Sequence, residues 1–233
     1  GGLRIQSTIN SEIQETAEKL FKNKVEELRV KMGDQLNGGM LSVDVPTGGI
    51  RACIGGYDFR QSQFNRAFRA VRQIGSSFKP IIYTVALQNG ASFDSLEIDE
   101  PLEVPLDGEK VWKPRNWTNR FDGMMTLARA ISCSNNIVTV KTFLKFGHKM
   151  VIDLAKRFGY HRGLSPYPSL ALGIAEATVE ENVAAFNIFA NNGVYVKPYL
   201  IEWVKDEWGN RLWENDSESR RVLDSKISSQ MAN

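Results

Sequence analysis

The 233-residue chain is 42% hydrophobic, 10% aromatic and 24% charged, which excludes a disordered or low-complexity protein and fits one globular unit or two small ones. Lys and Arg (29) nearly balance Asp and Glu (27), so the formal charge is +2 with no basic block, and no nucleic-acid partner is expected. The longest stretch without a charged residue, 182–196, has 15 residues and is interrupted by asparagines, short of the about 18 to 20 apolar residues of a membrane span.

Leu3 to Ile9 alternates apolar and polar residues and reads as a strand. Ser11 with Gln14 three positions on is a capping-box signature, and the helix it predicts runs to Gly33. Ile13, Ala17, Leu20, Phe21, Val25, Leu28 and Met32 recur at helical spacing as its buried face. Met40–Val45 and Ile50–Ile54, on either side of Pro46-Thr47-Gly48-Gly49, read as a hairpin. A helix is predicted from Ser76 to Gln88, because Pro80 is tolerated only in a first turn. Pro101, Pro105, Pro114 and Gly108 mark Asp94 to Trp117 as an irregular excursion.

Helical patterns return over Met125–Ile131, over Ile137–Phe146 before Gly147, and over Met150–Phe158 before Gly159. Thr178 with Glu181 repeats the capping-box spacing ahead of a helix that Gly193 ends. Tyr195–Val204 and Arg211–Trp213, joined through Asp206–Asn210, read as a second hairpin, in which Trp208 and Trp213 pack across the strands. The tail from Ser217 is polar with a weak helical start. Cys53 and Cys133 lie in apolar patterns and read as packed thiols ahead of a disulfide. His148 and His161, the two histidines, have no partners at metal-ligand spacing, so neither a metal nor a cofactor is expected.

Chemistry concentrates in two triplets. Ser76 and Lys79 form a Ser-x-x-Lys spacing, which on a helix puts a hydroxyl and an amine on one face. A neutral lysine can act as the base that makes a serine nucleophilic. Neutrality at pH 7 demands a pKa depression of roughly 3 units from about 10.4, supplied by burial or a second cation. A helix beginning at Ser76 also sets free amides beside the hydroxyl, where they favour an oxyanion. Ser134-Asn135-Asn136 lies between two predicted helices, where capping explains it as readily as catalysis. Each triplet arises by chance about once in a chain of this length, so neither decides anything alone.

The residues around the triplets are more specific. Thr47-Gly48-Gly49-Ile50-Arg51-Ala52-Cys53-Ile54-Gly55-Gly56, Phe64-Asn65-Arg66-Ala67 and Arg72-Gln73-Ile74-Gly75-Ser76 precede Phe78-Lys79-Pro80. Asn116-Trp117, Asp122-Gly123, Leu127-Ala128-Arg129-Ala130, Pro168-Ser169-Leu170-Ala171-Leu172-Gly173, Glu176-Ala177-Thr178 and Phe189-Ala190-Asn191-Asn192-Gly193 follow in order. In these segments, from Gly2 to about Trp213, the sequence resembles the transpeptidase domain of bifunctional, class A penicillin-binding proteins. The resemblance implies an α+β fold of the penicillin-binding and serine β-lactamase type, a helical subdomain with an antiparallel sheet that is incomplete here. It also implies that residues 1–35 are a strand and helix leading into a transpeptidase domain at 36–233.

The resemblance further implies that Ser76 attacks the penultimate D-Ala carbonyl of a peptidoglycan stem peptide, with Lys79 as base. Ser134 would relay a proton to the departing amine and Asn136 would hold the substrate amide. β-Lactams would acylate Ser76, and cell-wall synthesis proteins would be neighbours. The setting implied is the periplasmic face of a bacterial inner membrane, with an anchor and a glycosyltransferase domain upstream. The family's third motif, Lys-Thr-Gly or Lys-Ser-Gly, occurs nowhere in these residues; the expectation is a fragment that stops before it and acylates weakly by itself. A β-lactamase and a non-catalytic cell-wall scaffold are the alternatives.

Overall fold

A computed structural model describes residues 2–106, 108 and 110–232. The chain begins with strand β1 (Leu3–Ser7), helix α1 (Ser11–Met32), strands β2 (Met40–Val43) and β3 (Ile50–Ile54), and the single turn α2 (Arg66–Arg69). After β4 (Arg72–Gln73) come a 3₁₀ turn at Gly75–Phe78, α3 (Lys79–Gln88), β5 (Leu96–Asp99), β6 (Val104–Pro105) and β7 (Val111–Trp112). Next are β8 (Gly123–Thr126), α4 (Leu127–Ser132), α5 (Asn136–Phe146), α6 (His148–Arg157) and a second 3₁₀ turn at Pro168–Leu172. The chain closes with β9 (Glu176–Ala177), α7 (Val179–Ala190), β10 (Val194–Val196), β11 (Ile201–Asp206), β12 (Arg211–Glu214), β13 (Ser219–Arg221) and α8 (Ser225–Ala232). Two compact units result, Gln73–Glu176 and the remainder on either side of it in sequence.

In the unit built from both ends of the chain, β1, β11 and β12 form one antiparallel sheet and β2 with β3 another. Asn10, not Ser11, caps α1: its Oδ1 accepts from Ile13 N at 3.0 Å. Gln14 is thereby released from the expected box, and its carboxamide pairs with the β3 backbone, accepting from Cys53 N at 2.8 Å and donating to Cys53 O at 3.1 Å. One side chain thus does the work of a neighbouring strand at that edge. Of the expected apolar face of α1, Ala17 and Val25 are buried, whereas Ile13, Leu20 and Met32 are exposed.

The hairpin expected from Tyr195 to Trp213 divides. Pro198, which has no N–H for a ladder, separates β10, paired with β13, from β11, paired with β12. Trp208 sits exposed in the turn and Trp213 opposes Val204, so the two indoles do not form the expected cross-strand pair. The Thr178 capping box forms in full, Glu181 N donating to Thr178 Oγ1 at 3.2 Å and Thr178 N to Glu181 Oε2 at 2.8 Å.

The unit at Gln73–Glu176 is built around α3. Lys79 and every residue from Ile81 to Leu87 are buried, with α4, α5, α6 and the Pro168–Leu172 turn packed against the helix. Phe78, Ile82, Val138, Phe143, Phe158 and Leu170 belong to its apolar interior. The excursion expected at Asp94–Trp117 holds three short strands instead of irregular chain: β5 pairs with β8, and β6 with β7. Two of its residues, Asp107 and Glu109, lie outside the described ones. Pairing of β8 with β5 also takes Met125 out of the helix expected from it, and Thr126 caps α4 by accepting from Arg129 N.

Both cysteines are free thiols; Cys133 is exposed, contrary to the packed expectation, and burial pushes the Cys53 thiol up. No helix among the described residues is long and apolar enough to cross a membrane. Thr178→Ala removes one member of the reciprocal box and should cost about 1 kcal/mol, read as a lower midpoint in urea unfolding with an unchanged slope.

Candidate active site

Ser76 lies in the 3₁₀ turn at Gly75–Phe78, not in the first turn of the α-helix as the sequence suggests. The α-helix starts at Lys79, which leaves Pro80 in its first turn, where the missing N–H costs nothing. Residues three apart nearly eclipse in a 3₁₀ turn, so the Ser-x-x-Lys spacing still stacks one side chain over the other. Ser76 is exposed, while Lys79 is only 2% exposed beneath it.

Ser134 follows α4 with φ at +54°, a left-handed conformation that a non-glycine residue adopts at a cost of about 1 kcal/mol or more. The turn brings both the carbonyl and the hydroxyl of Ser134 onto Lys79. Asn135 then caps α5, its Oδ1 accepting from Val138 N at 2.9 Å, and Asn136 opens the helix. Capping therefore belongs to the middle residue of the triplet, and Ser134 and Asn136 are left free for the amine.

Lys79 Nζ donates to Ser134 O at 2.6 Å, to Asn136 Oδ1 at 2.7 Å and to Ser134 Oγ at 3.0 Å. Three protons of an ammonium thus meet three acceptors. Ser134 Oγ donates in turn to Ser76 Oγ at 3.0 Å. All four residues expected in the site come together, and Ser76 is reached from Lys79 through the Ser134 hydroxyl. Burial pushes the Lys79 ammonium down to about 8, opposed by the charge of Cys133. Desolvation alone supplies this depression; no second cation contributes among the described residues. About one lysine in ten is then neutral at pH 7.

Asn136 Nδ2 donates to Arg115 O at 2.8 Å, and Asn136 N donates to Asn116 Oδ1 at 2.9 Å. The carboxamide is therefore already oriented, with one hydrogen on nitrogen and one lone pair on oxygen free for a ligand. In the sequence Asn116 stands in the Asn116-Trp117 pattern with no signal of this role. Gly173 is equally without a role in its own pattern. It has φ at +80° and donates a close approach rather than a side chain: its carbonyl accepts from Gly75 N at 3.0 Å. A Cβ on Gly173 would lie 1.8 Å from Gly75 O, so only glycine lets this loop support the turn that carries Ser76. The signal available in the sequence was a lone glycine directly after Pro168–Leu172.

Residues 38–233 match the family described as Penicillin binding protein transpeptidase domain. The chain belongs to this family. Penicillin-binding protein 1A of Pseudomonas aeruginosa is 42% identical over 178 residues, which are 75% of this chain and 22% of that protein's length. The transpeptidase chain described here thus spans less than a quarter of that curated relative. The crystal structure of penicillin-binding protein 1A from Haemophilus influenzae superposes with a TM-score of 0.78 at 28% identity, over 84% of this chain and 34% of that one. An imipenem acyl-enzyme complex of penicillin-binding protein A from M. tuberculosis gives 0.80 at 18% identity, over 99% of this chain and 62% of that one, a likeness of fold. The expected α+β penicillin-binding fold is the one found.

His148 and His161 are exposed, and no group of three or more His, Cys, Asp or Glu among the described residues gathers as a metal site. Gly173→Ala in the transpeptidase domain should cost about 2 kcal/mol or more, because strain at positive φ adds to the clash with Gly75. Gly90→Ala, also at positive φ but with nothing within 4 Å of a Cβ, should cost about 1 kcal/mol in the same urea titration.

Proposed function

We propose that this chain is the acyl-transfer domain of a peptidoglycan D,D-transpeptidase, with Ser76 as nucleophile, Lys79 as base, Ser134 as proton relay and Asn136 as substrate-holding group. The domain itself is read as residues 36–233, with 1–35 leading into it. The observation that carries the reading is the unbroken chain of polar contacts from Lys79 Nζ through Ser134 Oγ to Ser76 Oγ.

With Lys79 charged, every donor in that chain points toward Ser76. Once Lys79 loses a proton, two N–H groups remain for its two shortest partners, Ser134 O and Asn136 Oδ1, and the lone pair faces Ser134 Oγ. The chain then reverses: Ser134 donates to Lys79 and accepts from Ser76. Ser76 Oγ attacks the carbonyl carbon of the penultimate D-Ala as its proton passes through Ser134 to the amine. The tetrahedral species collapses with cleavage of the C–N bond to the terminal D-Ala, whose nitrogen takes the proton back along the same path. An amine of a second stem peptide attacks the ester, forms the crosslink and frees Ser76. A β-lactam enters by the same attack, its ring C–N bond opening instead, and the imipenem acyl-enzyme of the M. tuberculosis relative is of that kind.

The remaining assignments follow from the family: stem peptides and β-lactams as ligands, cell-wall synthesis proteins as neighbours, and a setting on the outer side of a bacterial inner membrane.

The full-length gene product containing these residues should gain one drug mass on incubation with benzylpenicillin, read by intact-mass spectrometry, and Ser76→Ala should abolish the gain. A folded wild type that stays unmodified sinks the proposal, as does a Ser76→Ala variant that is still labelled. Neutral Lys79 is the active form and its pKa is held near 8, so the initial labelling rate should climb with pH through about 8 and level off above it. Ser134→Ala should lower that rate by about 100-fold or more.

A further inference from the structure

Asp99 is 1% exposed at the end of β5 and takes no part in the proton path. Its carboxylate accepts from Asn116 Nδ2 at 2.9 and 3.0 Å and from Asp122 N at 2.9 Å. Asn116 is itself buried, and its second amide hydrogen goes to Arg120 O at 2.9 Å. Its Oδ1 is thereby turned onto the first amides of α5, accepting from Asn136 N at 2.9 Å and from Ile137 N at 3.4 Å.

We propose that Asp99 is a positioning residue of the acyl-transfer site, acting through Asn116 on Asn136. The inference rests on the reading of Ser76, Lys79, Ser134 and Asn136 given above. Asn136 is gripped twice by one dipeptide: the Asn116 side chain holds its backbone N–H, and the Arg115 carbonyl holds its carboxamide nitrogen. Asp99 sets that dipeptide, because it orients the Asn116 amide so that nitrogen faces the carboxylate and oxygen faces α5. A carboxylate also polarises the amide it binds and strengthens the acceptor at the amide's other end. The far end of this relay is Asn136 Oδ1, one of the three acceptors on Lys79. A carboxylate kept this deep without serving a function is costly, since an apolar residue at the same place pays no desolvation.

Asp99→Asn keeps the size of the side chain and sets one amide donor against another. Penicillin labelling of Ser76 should persist in the full-length product but slow by about 10-fold, the effect of one weakened hydrogen bond. The pH midpoint of labelling should move about half a unit lower, because a looser Asn136 Oδ1 stabilises the Lys79 ammonium less. Cys133, whose charge also reaches Lys79, is untouched by the substitution. In an Asn136→Ala background the slowing by Asp99→Asn should disappear, since the two act in series.

A role in folding alone would lower the unfolding midpoint, leave the pH midpoint in place and persist in full in the Asn136→Ala background; that outcome overturns the proposal. Wild type that is not labelled at Ser76 overturns the acyl-transfer reading instead. If Asp99→Asn fails to fold, Asn116→Ser cuts the same link, and an unchanged labelling rate and pH midpoint in that variant overturns the proposal equally.

Discussion

A buried ammonium has three protons to place, and the helical unit is arranged around placing those of Lys79. The helix that carries it is buried along nearly its whole length, so the amine enters a largely apolar interior. Leaving it unpaired there costs several kcal/mol. Ser134 and Asn136 supply all three acceptors, and to do so the chain accepts a left-handed residue at Ser134 and starts α5 at Asn136. The geometry that satisfies the charge is also the one that leaves two hydroxyls stacked between the amine and solvent.

The same burial has a chemical consequence. Desolvation destabilises the charged amine, opposed only by the charge of Cys133, and leaves it near 8. A lysine so placed is close enough to neutral to accept a proton and close enough to charged to return it, which the relay proposed for Ser134 requires. Support comes from behind as well as from the side. Gly173 lets the Pro168–Leu172 turn touch Gly75 backbone to backbone, and Asp99 with Asn116 steadies the start of α5. Rigid supports of this kind matter because acyl transfer tolerates little misplacement of its groups.

The unit formed by the two ends of the chain follows another logic. β1 is closed onto β11 across almost 200 positions of sequence, and α1 lies on β3 with Gln14 completing the edge. The alternation at Leu3–Ile9 and the periodicity of α1 were legible, because they are local properties of seven and about twenty residues. Which face of α1 would be covered was not: Leu20 and Met32 carry the helical period yet are exposed. The capping signature at Ser11 misled for a related reason. Gln14 satisfies the β3 backbone, a partner 39 positions away that no local pattern announces.

The family resemblance pointed to the four candidate site residues and the α+β class; by itself the local sequence pattern determined the two-strand turn at Met40–Ile54, the stops at Gly33 and Gly147 and the Thr178 box. Each depends on residue types at short, regular spacing, where propensity and capping act within a turn or two. Tertiary structure alone decided that Ser76 sits in a 3₁₀ turn, that Met125 joins a strand with Glu97 opposite it, and that Lys79 Nζ connects to Ser76 Oγ through the Ser134 hydroxyl. It also decided the parts played by Asp99, Asn116 and Gly173. These are pairings between segments 17 to about 100 residues apart, set by which buried polar groups and backbone surfaces find each other once the chain is closed.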